Sequence, residues 1–186
     1  MHLLVDFDDS FTFNLKQYLL LLGVKTEVIH WSNISNYMND DVDTITLGPG
    51  PGHPREYNSL SIVIKNILKK KKIRLLGICL GHQIILNTLG FKLKNLEMPI
   101  HGQSRVIYLN SFFKEYFCTN TVVGQFYNSL VVCSLKKSTS GNQNHHLQNL
   151  NENVMIFKSE RILSMQFHPE SIGSSNLSNG VKKFLK

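Results

Sequence analysis

The sequence predicts an α/β fold: a doubly wound, mostly parallel sheet flanked by helices, with an added small antiparallel β layer. Three observations carry that expectation. Short apolar runs alternate with stretches of helical spacing from His2 to Gly90, the pattern of strand–helix–strand units. A Gly-x-Cys-x-Gly sequence, Gly77 to Gly81, stands where an apolar run gives way to a helical one. From Phe91 to about Phe167, helical spacing disappears and short β-like runs replace it.

The elements follow in order. "HLLVD" (2–6) is a short apolar run ending in a carboxylate and reads as a buried strand. Phe11, Leu15, Tyr18, Leu19 and Leu22 then form a helical stripe, with Asp9 or Ser10 to cap its start and Gly23 to end it. "KTEVIHW" is a second strand and "DTITLG" a third, running into "GPGPGHP", which cannot be regular structure. "SLSIVIKNILKK" is a helix, and "IRLLGI" a strand leading to Cys79. "LGHQIILNTLG" is the next helix, closed by Gly90. The runs "FKLK", "SRVIYL", "TVVGQF", "LVVCSL", "VMIFKS" and "RILSMQF" supply the antiparallel layer. Between them "KKSTSGNQNHHLQNLNEN" is polar and low in complexity, an exposed loop by composition. "NLSNGVKKFLK" is a closing helix, weakened by Gly180.

Composition narrows the function. A chain of 186 residues suits one domain with a sizeable core. No run approaches about 18 consecutive apolar residues, and the start lacks a signal peptide's order, so the chain is expected to be cytoplasmic with no membrane partner. The net charge of +7 raises the question of nucleic acid. Its densest element, Lys69 to Lys72, follows a helical stripe, where cations complement the helix dipole. No aromatic residues interleave with these lysines as a stacking platform requires, so nucleic acid is not the expected partner. Cys79, Cys118 and Cys133 lie far apart, which argues against a disulfide framework and a zinc site.

Strand, Gly77-Ile78-Cys79-Leu80-Gly81, helix is the nucleophile elbow with sulfur in place of oxygen. The elbow strains its central residue and lifts that side chain out at the carboxyl end of the sheet, where open α/β folds bind ligands. It also places Cys79 at a helix N-terminus, which favours thiolate. The competing reading is a buried cysteine packed as a small hydrophobe, and the paired glycines count against it. A base stands in "MQFHPES": His168 and Glu170 are two apart, on one face of extended backbone. That spacing lets a carboxylate hold one imidazole nitrogen while the other faces the sulfur, a Cys79–His168–Glu170 triad. The Leu80 amide and the backbone of "GPGPGHP" are candidate oxyanion donors, while phosphate cradling is disfavoured because prolines remove donors. His82 follows Cys79 by three residues, but no second ligand pair accompanies it, so no metal is expected. His145 and His146 read as solvated, and His101 as a turn or a functional contact.

"GPGPGHP", "GICLGHQ" and "FHPES", in that order, resemble the three signature blocks of class I (triad) glutamine amidotransferases over nearly the whole chain. "DDSFTFNL" and "HGQS" further resemble the branch that serves chorismate enzymes, the small subunits of anthranilate synthase and aminodeoxychorismate synthase. The resemblance implies a single glutamine amidotransferase domain over residues 1–186. In it Cys79 attacks the glutamine side-chain amide to form a thioester, and His168, oriented by Glu170, serves as base and acid. It implies that Gly50, Pro51, Gly52 and Leu80 line the substrate and oxyanion site, that Gln83 contacts the glutamine, and that Ser129 and Leu130 hold its α-substituents. The chain leaves no room for an ammonia-accepting site, so the implied partner is a separate chorismate-using synthase large subunit. Segments Ser10 to Asn14 and His101 to Gln103 are implied to lie nearest that partner. The chain itself is expected to need no cofactor, and its partner to need Mg2+. Two positions depart from the family's usual residues: Asn128 stands for His and Gly48 for Ser. The alternatives are a γ-glutamyl hydrolase or cysteine peptidase with the same triad, which does not account for "DSFT" and "HG", and a non-catalytic regulatory partner.

Overall fold

The computed structural model describes residues 1–39, 41–69, 72–134 and 145–186. Among them, β1 (His2–Asp6), β2 (Glu27–His30), β3 (Thr44–Leu47), β4 (Arg74–Ile78) and β9 (Ile162–Met165) run parallel. Beyond β9, β8 (Asn153–Ser159) and β7 (His145–Leu150) add antiparallel, for a seven-stranded order β2-β1-β3-β4-β9-β8-β7. A separate ribbon pairs β5 (Leu93–Tyr108) with β6 (Thr121–Val132). The helices are α1 (Thr12–Leu21), α2 (Asn58–Lys69), α3 (Leu80–Thr88), α4 (Ser111–Phe117) and α5 (Ser178–Leu185). None of the described helices is long and apolar enough to cross a membrane.

The period-2 alternation of the strands decides which helices cover which face. Leu3, Val5, Ile45, Leu47 and Leu75 join a core with Leu60, Ile64 and Ile67 of α2 and Ile84 and Ile85 of α3. Leu4, Leu76 and Ile78 face the other way, onto Leu15 and Leu19 of α1, Phe113 and Phe117 of α4, and Val181 and Phe184 of α5. Helices on both faces leave the inner strands apolar throughout, as in "LLV" and "LLGI". At the start of α1 the Asp9 carboxylate accepts the Phe11 N–H at 2.8 Å, but the N-cap position is taken by Phe11 without a side-chain cap, so neither Asp9 nor Ser10 caps the helix as expected. Gly23 leaves the helix at φ +86°.

Three expectations change. "VMIFKS" and "RILSMQF" belong to the main sheet as β8 and β9, not to the antiparallel layer, which is the β5–β6 ribbon alone. That ribbon fuses "FKLK" with "SRVIYL" and "TVVGQF" with "LVVC". The segment between those first two runs, with Pro99 and the possible turn at His101, is carried through by bulges between Asn95 and Ile100 and between His101 and Gln103. The exposed polar loop is strand β7 over His145–Leu150, where ladder bonds to β8 outweigh polar composition. His145 and His146 are exposed there, as expected, although their rings stack on Phe157 and Phe112. Residues 135–144 of that stretch lie outside the described residues, as do Lys70 and Lys71 of the lysine run. Helix α4 had no counterpart in the sequence reading. Its signal is local: Asn110 accepts the Phe113 N–H at 3.1 Å as an N-cap, and Phe113 and Phe117 lie one helical turn apart, both buried. Gly180 proves compatible with α5, since a Cβ there would lie 2.2 Å from the Phe117 ring. The glycine costs helix propensity but lets α5 lie directly on α4.

His82 ties α3 to the sheet. The Val154 carbonyl can only accept, so His82 Nε2 donates to it at 3.1 Å, and Nδ1 accepts from the Ser164 hydroxyl at 2.9 Å. Both nitrogens are committed, which leaves the imidazole no lone pair for a metal. Burial pushes its pKa down to about 3, against the opposing effect of the Val154 and Ser164 backbone. Burial likewise takes His2, bonded to Thr46 Oγ1 at 2.7 Å, down to about 4.

Both histidines are neutral in the fold and titrate near 6.5 when unfolded. Their stabilisation is full above that pH and is lost as pH falls through the folded values. The urea midpoint is therefore expected to drop between pH 7 and pH 4. The drop should be smaller in a His2→Gln variant, as equilibrium unfolding across that range will show.

Candidate active site

β4 ends at Ile78, α3 begins at Leu80, and Cys79 makes the corner alone, at φ 51° and ψ −102°. A non-glycine residue there carries strain of about 1–3 kcal/mol, so its surroundings must hold it. The Cys79 N–H donates to the Met165 carbonyl at 2.9 Å, and the Cys79 carbonyl accepts from Gln83 N–H at 3.1 Å. The flanking glycines explain themselves by distance. A Cβ at Gly81 would sit 2.2 Å from the Leu47 carbonyl oxygen, and one at Gly77 would sit 2.7 Å from Ile85 Cδ1 and 3.0 Å from Gly81. The first turn of α3 thus rests on the end of β3, where Gly81 N–H donates to the Gly48 carbonyl at 3.2 Å.

β9 ends beside β4, and Gln166, Phe167 and His168 continue from it. His168 Nδ1 meets Glu170 Oε1 at 2.7 Å, with side-chain exposures of 3% and 0%. Pro169 between them closes the short turn. The opposite nitrogen, Nε2, is buried and makes no hydrogen bond within ordinary range, so it is open to the Cys79 thiol. Burial works against charge on this ring, but the influence of the Cys79 thiol and the Glu170 carboxyl outweighs it and raises the pKa to about 10. The proton on the imidazole is therefore favoured, with the Cys79 thiol and the Glu170 carboxyl as the groups that act on the ring. The ring packs edge-on against Phe11 at 5.3 Å and Tyr127 at 5.1 Å.

A pocket of about 160 Å3 opens over the sulfur. Gly50, Pro51, Gly52, Leu80, Gln83, Ser129 and Leu130, all named from the sequence, line it together with Cys79. The glycine–proline loop is built rather than loose. Glu56 Oε1 accepts His53 N–H at 2.7 Å, His53 Nδ1 accepts Arg55 N–H at 3.0 Å, and Tyr57 OH donates to the Pro51 carbonyl at 3.2 Å. Gly50 passes so close to Phe7 and Leu80 that a Cβ would lie within 2.6 Å of both. A larger cavity of about 430 Å3, walled by Ser35, Met38, Val63, Asn66, Ile67 and Lys69, lies between the 3-10 segment Trp31–Tyr37 and α2 and includes none of Cys79, His168 and Glu170.

Residues 3–186 match the family described as "Glutamine amidotransferase class-I". The chain belongs to that family. It is similar to an anthranilate synthase component 2 of Helicobacter pylori, 33% identical over 179 residues that cover 90% of this chain and 87% of the relative. It is equally similar to a Schizosaccharomyces pombe protein provisionally named as an aminodeoxychorismate synthase, 33% identical over 98% of this chain but only 26% of that protein. Among solved structures, a Thermoplasma acidophilum protein provisionally named as part of a GMP synthase has the same fold. Its TM-score is 0.79 at 19% identity, covering 100% of this chain and 92% of that one.

Within this amidotransferase the two departures have local settings. Gly48 is tight: a Cβ there would lie 2.9 Å from the Val5 carbonyl oxygen, so a serine needs the ends of β1 and β3 to part slightly. Asn128 is buried at the pocket wall, where its Nδ2 donates to the Leu130 carbonyl at 2.9 Å and its Oδ1 has no partner. Sequence reading missed Phe11, Tyr127 and Gln166 as site residues. Phe11 carries a signal, since it lies in "DDSFTFNL", but its spacing assigns it only to a helical stripe. Tyr127 stands between two β-like runs and Gln166 within one, where only pairing and register reveal what they face. His101 proves to be exposed and set edge-on to Tyr127 at 5.4 Å.

Loss of the Glu170 charge removes one of the influences that keep His168 protonated and leaves burial to oppose it. In Glu170→Gln the alkaline limb of glutamine hydrolysis should move down by about one pH unit or more. His168→Ala should cost turnover about a thousandfold or more, a larger loss than Glu170→Gln. Steady-state rates from pH 6 to pH 10 check both. An unmoved limb removes Glu170 from control of that proton.

Proposed function

We propose that this amidotransferase is the glutaminase component of a chorismate-using synthase, anthranilate synthase in the first instance. The observation that carries the chemistry is the convergence on one small pocket of Cys79 and every residue named for glutamine binding, with the His168–Glu170 pair, 2.7 Å apart, acting on the Cys79 side chain. In this reading the Cys79 sulfur attacks the side-chain carbonyl of glutamine. The C–S bond forms while the carbonyl electron pair moves to oxygen, facing the Leu80 amide at the start of α3 and the Gly50–Gly52 backbone. The tetrahedral species collapses, the C–N bond breaks, and the nitrogen leaves as ammonia with the His168 proton. His168, now neutral, takes a proton from water, whose oxygen displaces the sulfur to release glutamate. Asn128 Oδ1, an acceptor with no partner in the fold, is placed to meet a donor of the substrate.

Identity with component 2 proteins over about nine-tenths of both chains supports the anthranilate assignment. The Schizosaccharomyces pombe relative favours a second reading, the glutaminase part of an aminodeoxychorismate synthase. The product made from chorismate by the co-purified large subunit separates them.

Two measurements test the shared reading. Cys79→Ser should abolish glutamine-dependent synthesis by the complex and leave ammonium-dependent synthesis intact, because the synthase needs only ammonia. Retained glutamine-dependent activity sinks the triad. The second concerns coupling. Phe11 touches the His168 ring directly, and His101 touches Tyr127, which packs on that ring, so one segment expected at the partner surface contacts the base and the other is one residue removed from it. The isolated chain should hydrolyse glutamine slowly and accelerate when the synthase and chorismate bind. A rate equal in all states rejects such gating.

A further inference from the structure

The triad accounts for one side of the nucleophile, but a second side chain reaches the sulfur. Gln166 is fully buried, and its Nε2 lies 3.7 Å from Cys79 Sγ, within donor range for sulfur. Its orientation follows from a chain of amides that begins at a backbone carbonyl. The Leu130 carbonyl can only accept, so Gln83 turns its NH2 group toward it, at 3.0 Å. The same Gln83 nitrogen lies 3.2 Å from Gln166 Oε1, so Gln166 must present its oxygen there. Its NH2 group is then left facing the sulfur. Reversing Gln166 would set two NH2 groups against each other and turn an oxygen lone pair toward a thiolate, both unfavourable in a buried site.

We propose that Gln166 is a positioning residue for the nucleophile: its amide donates to the Cys79 sulfur, favours the thiolate and fixes the direction of attack. Gln166 and His168 leave β9 two residues apart, so Gln166 holds the sulfur as a neutral donor while His168 carries the proton that the reaction moves. The neutral donor cannot give up its proton, so it holds the sulfur in place while His168 passes its own proton to the leaving nitrogen. Leu130 lines the substrate pocket, so the relay also sets the sulfur relative to bound glutamine. The proposal rests on the glutaminase reading for its catalytic meaning, but the grip on the sulfur stands apart from it.

The test is alkylation of Cys79 by iodoacetamide as a function of pH, in a chain whose Cys118 and Cys133 are replaced by serine. The titratable groups beside the sulfur, His168 backed by Glu170 and Tyr127 at the pocket wall, are left in place. Gln166→Met keeps the length and removes the donor. Its alkylation midpoint should rise by about one pH unit, as loss of a hydrogen bond to a charged group implies. With the partner present, kcat for glutamine should fall by about tenfold or more while KM changes little. Should Gln166→Met fail to fold by circular dichroism, Gln166→Asn, whose amide is one methylene too short for the sulfur, takes the same measurement. An alkylation midpoint equal to that of the parent overturns the proposal, whatever happens to turnover. A parent that is alkylated normally but never hydrolyses glutamine, with or without partner, faults the glutaminase reading instead.

Discussion

The contact on which this site depends is between a glycine and a carbonyl. Gly81, in the first turn of α3, lies so close to Leu47 at the end of β3 that even a methyl group would be 2.2 Å from the Leu47 oxygen. That approach brings the start of α3 down onto the sheet and forces the turn at Cys79 into positive φ. The strain is then held by bonds from both sides, Cys79 to Met165 of β9 and Gly81 to Gly48 beyond β3. A larger residue at position 81 would lift the helix, relax the corner and take the sulfur away from its neighbours. The geometry of the nucleophile is therefore a consequence of packing between backbones.

The same sheet edge collects everything else. Phe7 follows β1, the Gly48–Gly52 loop follows β3, Cys79 follows β4, and Gln166 to His168 follow β9, all at carboxyl ends of parallel strands. Parallel pairing in register brings these ends level, so residues about 30 to 90 positions apart in the chain meet without a dedicated scaffold. The β5–β6 ribbon supplies the remaining wall through Tyr127 to Leu130, and it is tied to the His168 segment by the His168 N–H bond to the Gln125 carbonyl at 3.0 Å. Gln125 extends that tie, since its side chain accepts Gly173 N–H at 3.0 Å and donates to the Gly102 carbonyl at 3.2 Å.

Burial gives these polar groups their directions. His82 has both nitrogens bonded and stays neutral in the core, whereas His168 has a carboxylate on one side and a thiol on the other and holds a proton. Two buried histidines of one fold thus take opposite charge states because of their partners, not their exposure. The amides of Gln83 and Gln166 are oriented by the same rule, from a carbonyl that cannot donate.

What the sequence by itself determined is whatever depends on neighbours along the chain. The strand–helix order from β1 to α3, the elbow at Cys79 and the two-residue spacing of His168 and Glu170 are all local, and short-range sterics and periodicity reveal them. Local reading failed where a longer range decides. The Pro- and Gly-flanked segment at His101 reads as a turn or a contact, yet pairing with β6 carries β5 through it with bulges. Polar residues 145–150 look like loop, yet the free edge of β8 recruits them as a strand. Gly180 looks like a flaw in a helix until Phe117 is seen against it. Gln166 looks like an ordinary strand residue, because nothing beside it in the chain shows that Cys79, Gln83 and Leu130 surround it. Only tertiary structure brings a carbonyl, two amides and a sulfur from four separate elements into one line, and that line sets the direction of every donor in it.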